Sequence, residues 1–324
     1  MSSFEIREVQ VSDLASLLEC ARESFGGERA KTAAQWKWAF DRPGIARHGI
    51  VALEAERVIA AYLGIAQKMW IGGEERLCVQ AVDLMVHPDY RRGKQPRGLY
   101  AEVAEAFIGD YGTRGEDVFH YGWPIDAARR SGQRLLGYEL LREELCLVRK
   151  LEDAPLHMPK CVNVVTDFGD DLRWLWDRCT ADWGAAAIRD SDWVRWRFLE
   201  RPGHEYCLLG LRDDNVLRGL AVLRKTAWDW EGAVALCDWL VPDDEPETAR
   251  QMDRAIRHQA HSWGARSLVA LFPQTSRPFA SFQDRDWRVQ HSPFKLVARS
   301  YDVRFDADWL RAHWWYSLAD SDLA

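Results

Sequence analysis

The same order of landmarks runs twice along the 324 residues, and that repetition restricts the fold more than any single motif. In the first half, WKWAFDRPG (residues 36–44) leads into the alternating stretch GIVALEAERVIAAYLGI; in the second, WVRWRFLERPG (193–203) leads into YCLLGLRDDNVLRGLAVLR. Each reads as a helix end, a turn and a β-hairpin. Next come AVDLMVHPD around Asp83 and LCDWLVPDD around Asp238, then FHYGWP ending at Pro124 and VALFP ending at Pro273. Each proline is followed fourteen residues later by an aromatic, Tyr138 or Trp287, that opens a new apolar run. Matched landmarks in one order point to two copies of one supersecondary plan.

Both halves also open alike. FEIREV (4–9) precedes VSDLASLLECARESF (11–25), where Leu14, Leu17, Leu18 and Ala21 recur at helical spacing and Ser12 stands in the N-cap position; CVNVVTDF (161–168) precedes DDLRWLWDRCTADW (170–183). The predicted unit is strand, helix, hairpin, central strand, helix, strand, helix, strand, an α/β (α+β) fold with a mixed sheet. Two prolines and the loss of periodicity in LEDAPLHMPK (151–160) set the boundary, giving domains at 1–152 and 160–324. The length suits two cores better than one.

Hydrophobic residues make up 47% and charged residues 29%, the balance of a folded protein. The net charge of −7, with both signs interspersed, speaks against nucleic acid as partner and leaves any attraction to an anion local. Seven cysteines without a CxxC pair argue against a disulfide framework or a zinc site and for buried thiols in a reducing, cytoplasmic setting. His258 and His261, one helical turn apart, lack a third ligand and read as surface histidines, so no metal is expected. No apolar run is long enough to span a membrane, and the charged start MSSFEIREVQ lacks an apolar leader core. Of 17 tryptophans most must pack in cores, with those of DWLRAHWWYSL (308–318) open also to a substrate or subunit surface.

The local exception to the acidic balance is VDLMVHPDYRRGKQPRGLY (82–100). An apolar strand ends at Pro88, Arg91, Arg92, Lys94 and Arg97 follow around Gly93, and Leu99, Val103 and Phe107 then mark one face of a helix. A helix N-terminus exposes unpaired amides and partial positive charge, and arginines add charge-assisted bonds, so this junction suits a pyrophosphate. A solvated basic turn is the bland alternative. In the second half the matching loop is DDEPETARQ, with Asp243, Asp244, Glu245 and Glu247 where the bases would be. Like charges repel at short range, so that half is expected to refuse a pyrophosphate and to serve as wall, scaffold or interface.

VHPDYRRGK with its following helix, and GWPIDAARRSGQRLLGYELLRE, resemble the GNAT superfamily of acyl-CoA-dependent N-acyltransferases. The resemblance covers the chain as two consecutive GNAT-like units, each implying a mostly antiparallel mixed sheet flanked by helices. It implies that the strand at 83–86, with Leu84, Met85 and Val86, splays from its neighbour at 119–122 and receives the pantetheine of acetyl-CoA or another acyl-CoA between them. It further implies that the pyrophosphate rests on the loop at 92–98, with Arg92, Gly93, Lys94, Gln95, Arg97 and Gly98. The family's loop carries glycine where this chain has Gln95 and Arg97, so direct pairing by Arg91, Arg92, Lys94 and Arg97 is expected to compensate.

Acyl transfer to an amine needs a base, a donor for the thioester carbonyl and an acid for the thiolate. The resemblance gives the carbonyl to an amide near Met85 or Val86. Asp83 is the first candidate base, with a structurally satisfied carboxylate as its equal alternative. His120 and Tyr121 lie on the partner strand, either one able to face the cleft, although a lone histidine is more often structural. Gln133 stands where the family places a tyrosine acid, leaving Tyr138 or Tyr100 to substitute. The expected activity moves an acyl group to an amine of a small metabolite or sugar by direct attack, with a homodimer left open. A non-catalytic CoA-binding or scaffold protein, and an aminoacyl-tRNA-dependent transferase, are the rival readings.

Overall fold

The first long helix begins where the apolar spacing predicts, but Ser12 does not cap it. A 3-10 turn, Val11–Asp13, comes first, and the Asp13 carboxylate accepts from the Gln10 amide at 2.7 Å while binding Arg7 at 2.7 and 2.8 Å. The bond from Arg7 holds the Asp13 carboxyl below the usual carboxylate range. An ionised carboxylate is a stronger acceptor than a serine hydroxyl, and Arg7 draws it to this corner.

The computed structural model describes residues 4–27, 30–91, 98–151, 157–225 and 232–323. Its first half runs β1 (Glu5–Glu8), α1 (Leu14–Phe25), α2 (Ala33–Phe40), β2 (His48–Glu54), β3 (Arg57–Ile71), β4 (Glu74–Val86), α3 (Gly98–Phe107), β5 (Asp117–Gly122), α4 (Asp126–Leu136) and β6 (Glu139–Lys150). The second half runs β7 (Val162–Val164), α5 (Asp170–Cys179), β8 (Ala185–Ala187), α6 (Ser191–Val194), β9 (Tyr206–Asp213), β10 (Val216–Lys225) and β11 (Ala233–Leu240). It continues with α7 (Pro246–Ser262), β12 (Ser267–Ala270), α8 (Arg277–Gln283), β13 (Arg288–Ser300) and α9 (Ala307–His313). The two series share the order read from the repeat.

The chain divides into a first unit of residues 1–69, 75–142 and 295–310 and a second of 70–74, 143–294 and 311–324. These units differ from a cut at 151–160 in three places: residues 70–74 and β6 from residue 143 belong to the second unit, and residues 295–310, with the last part of β13, to the first. Residues 152–156 of the proline-bearing stretch lie outside the described residues.

In the first unit β1, β2 and β3 are antiparallel neighbours, β4 follows β3, and β5 runs parallel to β4. The far edge of β5 pairs antiparallel with the end of β13, from Val297 opposite Gly122 to Ser300 opposite Phe119. Leu99, Val103 and Phe107 of α3 are buried against Ile50, Ala60, Tyr62 and Val79, the helix face that the spacing predicts. Gly64 makes this contact close: a Cβ there would lie 2.3 Å from Val79 Cγ1 and 2.8 Å from Phe107 Cζ.

In the second unit β7, β9, β10, β11, β12 and the end of β6 are neighbours in that order. The β9–β10 hairpin turns on Asp214 and Asn215 with φ of 47° and 65°, values that Asp and Asn tolerate better than most residues. β11 and β12 are parallel, as β4 and β5 are. Trp176, Trp193, Trp287, Trp314 and Trp315 are buried, so the tryptophan-rich stretch near the chain's end is largely packing.

Candidate active site

Strand β4 carries a fault that the sequence pattern does not announce. Val79 and Ala81 face the α3 core, and so do Leu84 and Val86. Faces alternate with every residue of a strand, so a change from odd to even positions demands one extra residue. That residue is Asp83, whose φ is +49°. Aspartate is among the few side chains that accept this left-handed conformation, which gives Asp83 a backbone reason to be there. Both its carboxylate oxygens accept from Lys31 Nζ, at 2.6 and 2.7 Å, with the two side chains only 20% and 22% exposed.

The bulge lies just past the point where β4 and β5 part. Their parallel ladder ends at Gln80 opposite Tyr121, whereas β4 continues to Val86. Gly122 closes β5, and a Cβ there would stand 3.2 Å from the Ala81 carbonyl oxygen. Among the described residues, 82–86 therefore present their β5-facing edge without a ladder. Such an edge offers amide and carbonyl groups to an extended ligand in the way an added strand would use them, and the amides of a pantetheine arm suit it.

Helix α3 opens at Gly98, with φ of +75°, and its first-turn amides are the groups that favour an anion. Arg92, Gly93, Lys94, Gln95 and Arg97 lie outside the described residues. Arg91 is described, and two of its donors point inward: Nε to the Val86 carbonyl and Nη2 to the Ser24 carbonyl, both at 3.0 Å. It ties the end of β4 to α1. His87, 2% exposed, adds to the same anchorage through Glu23 and through Arg57 at 2.8 Å. Lys31 and His87 are functional-region residues that sequence reasoning passed over; His87 stood inside the quoted motif, while Lys31, far from it in sequence, gave no signal.

His120 does not open onto a cleft. It is fully buried, its Nε2 donates to Asp117 at 2.8 Å, and its Nδ1 accepts from the Tyr301 hydroxyl at 2.8 Å. A carboxylate only accepts, so the Nε2 tautomer is fixed by its partners. Burial pushes the His120 imidazole down, with the Asp117 bond opposing. The other oxygen of Asp117 meets His48 Nε2 at 3.3 Å, and His48 Nδ1 meets the Ala46 carbonyl at 2.8 Å. Both ring nitrogens of His48 thus face acceptors, which calls for the doubly protonated ring. Burial opposes that charge, but the bond to Asp117 prevails and holds the pKa above its ordinary value.

Tyr121 is buried, and its hydroxyl accepts from Gln67 Nε2 at 2.8 Å. Tyr138 is also buried and shares a 2.7 Å hydroxyl–hydroxyl bond with Tyr62, both hydroxyls being pushed up by burial. Tyr100, on the first turn of α3, is only half-buried and makes no hydrogen bond among the described residues; burial raises its pKa. The candidates named from sequence thus separate into Asp83, Leu84, Met85 and Val86 on the open strand edge and three aromatics held in the core behind it.

The second unit fills its corresponding opening from within. The β11–β12 ladder ends at Leu236 opposite Ala270, and Asp238, two residues on, is buried. It accepts from Ser317 Oγ at 2.8 Å and from Arg189 Nε at 3.2 Å, while Arg189 Nη2 donates to Asp320 at 2.7 Å. The 3-10 turn Leu318–Asp320 packs on β11. At the acidic loop Arg178 donates to Asp244 at 2.8 Å and pairs with Glu245, and Arg250 binds Glu247 at 2.6 Å. The chain's own side chains occupy this corner.

Comparison with known families now has a geometry to meet. The profile of the GNAT acetyltransferase domain matches residues 5–141. Residues 5–141 are a GNAT domain. The same fold extends over the whole chain. A probable N-acyltransferase from Enterococcus faecalis superposes with a TM-score of 0.70 at 14% identity, over 93% of this chain and 73% of that one. A GCN5-related N-acetyltransferase from Anabaena variabilis gives 0.67 at 13% identity, over 93% and 74%. The N-myristoyltransferase of Saccharomyces cerevisiae, solved with myristoyl-CoA, gives 0.60 at 13%, over 94% and 80%. At such identities the likeness is one of fold, here the tandem GNAT fold. Curated protein sequences yield no match.

The GNAT domain is that of an acyltransferase family, and the bulged strand and the ladder's end fall within it. Among the described residues no helix is long and apolar enough to cross a membrane, and no group of three or more metal-ligating side chains assembles. The seven cysteines are free thiols.

Proposed function

We propose that the first unit transfers an acyl group, acetyl or longer, from acyl-CoA to an amine of a small metabolite or sugar in the cytoplasm. The observation that carries the reading is the parting of β4 from β5 after Gln80 and Tyr121, with the bulge at Asp83 placed directly behind it. The amine attacks the thioester carbon directly, the C–S bond breaks, and the products are an amide and free CoA thiol. A backbone amide near Met85 or Val86 steadies the carbonyl oxygen. Asp83, using the lone pairs that Lys31 leaves, takes the ammonium proton. Tyr100, with its hydroxyl unengaged among the described residues, is a better acid for the thiolate than Tyr138. The net charge of −7 disfavours nucleic acid as acceptor, and a homodimer is compatible with the reading but not required by it.

Calorimetry with acetyl-CoA and longer acyl-CoAs, paired with free-thiol release over an amine panel, tests this. Saturable binding with amine-dependent thiol release is expected. Absence of binding at millimolar acyl-CoA would overturn the reading. Binding without turnover would favour a CoA-binding scaffold, which the engagement of Asp83 with Lys31 and the burial of Tyr138 support. Filter retention of aminoacyl-tRNA would instead favour the tRNA-dependent reading.

A further inference from the structure

The second unit gathers positive charge in a place that acyl transfer does not use. A cleft of about 760 Å³ opens between the turn before β9 and the end of β10, lined by His204, Tyr206, Arg224, Lys225 and Trp263 among others. Arg197 and Arg201 stand behind it and share the Tyr206 hydroxyl, at 3.2 and 2.9 Å. Arg197 also donates to the Ala319 and Ser321 carbonyls, both at 2.8 Å, and Arg201 to the Asp322 carbonyl at 3.3 Å. Glu205 stands at the rim, and the Asp322 carboxylate acts on Arg201.

Arg224 is the telling member. Its Nη1 is buried without a hydrogen-bond partner, and among the described residues its guanidinium has no ion pair. A buried guanidinium nitrogen without an acceptor is costly, and proteins rarely keep one unless something else supplies the acceptor. Burial, with Arg197 close by, lowers the Arg201 pKa to about 9, and burial with Arg201 and Arg224 lowers His204 to about 4. Trp263 closes one wall, with Lys225 Nζ 5.4 Å from its ring centroid.

We infer that Arg224, Lys225 and the turn at 201–206 form a binding site for a phosphate-type dianion, either free phosphate or the phosphate of a phosphorylated small molecule. A dianion answers Arg224 and Lys225 together, where a single carboxylate carries one charge for two, and it offers several acceptor oxygens to the Arg224 fork. The aromatic wall of Tyr206, His204 and Trp263 accommodates the organic part of a phosphoester. This site does not depend on the acyltransferase reading.

The test is calorimetric titration of the full chain with inorganic phosphate and with glucose 6-phosphate at low ionic strength, chloride serving as control. Saturable binding is expected, tighter for the ester if the aromatic wall contributes, and Arg224→Met should weaken it about tenfold or more. Arg250→Ala, on an exposed arginine already paired with Glu247, should leave affinity unchanged. A second readout separates binding from structure: without ligand, Arg224→Met should melt at the same temperature as the natural chain or about 2 °C higher, because it removes a guanidinium whose Nη1 is buried without a hydrogen-bond partner. Equal affinity in Arg224→Met, no heat at 10 mM of either ligand, a chloride effect of equal size, or a marked fall in the melting temperature of that variant would each overturn the assignment.

Discussion

Replacing Asp83 with asparagine, glycine and alanine separates the two reasons for an aspartate at that position. All three changes break the contact with Lys31. The pair is about one-fifth exposed on each side, between the surface case and the fully buried one, so its loss should cost about 1–2 kcal/mol. Only alanine adds a second penalty. At φ of +49° its Cβ meets the carbonyl clash that glycine escapes and asparagine tolerates, worth about 1 kcal/mol more. The expected order of stability is therefore natural chain, then asparagine and glycine together, then alanine. In a Lys31→Met background asparagine should cost little further. Thermal melts read the order directly, and because a chain of two units need not unfold in one step, rank is the safer observable. Turnover gives a second axis: a base at 83 predicts that kcat falls about 100- to 10,000-fold in all three variants, while a purely conformational role spares asparagine and glycine. Alanine melting level with glycine would refute the bulge argument.

Tyr100→Phe should lower kcat by about 100-fold while leaving the Kd for acyl-CoA unchanged, as measured by thiol release and calorimetry. Arg189→Met should destabilise the second unit by about 3–5 kcal/mol, because it leaves Asp238 and Asp320 buried without their cation; urea titration followed by tryptophan fluorescence reads this. His48 has its folded pKa raised above the unfolded value near 6.5, so its contribution is fully present below that pH and is lost as pH climbs through the folded pKa. The melting temperature of the natural chain should thus fall with rising pH over that window, and His48→Gln should flatten the slope.

The element order was legible because hairpins, amphipathic helices and turn residues are local signals, and a repeat lets each half check the other. The α3 face of Leu99, Val103 and Phe107 followed from spacing alone. What stayed hidden was long-range or conformational. The bulge at Asp83 shows in sequence only as apolar residues that change phase, and in a strand with both faces largely covered that change is masked. His120 stayed open between a cleft and a structural place, because Asp117 is near it in sequence but Tyr301, which completes its bonding, is 181 residues away. Arg91 looked like a phosphate ligand by charge, yet carbonyl oxygens of Val86 and Ser24 compete for the same donors. The acidic loop was read correctly as acidic, while Arg178, which pairs with it from a distant stretch, was not matched to it.

The strand at 297–300 that flanks β5 has a consequence for biosynthesis. A ribosome releases the first hundred and fifty residues long before it makes this one, so β5 waits with a bare edge while the second unit emerges. Early translation products should need shielding from one another, and a gene fragment cut at the apparent linker would produce a polypeptide permanently short of a strand. Whoever expresses the first half by itself should graft residues 295–310 back onto it.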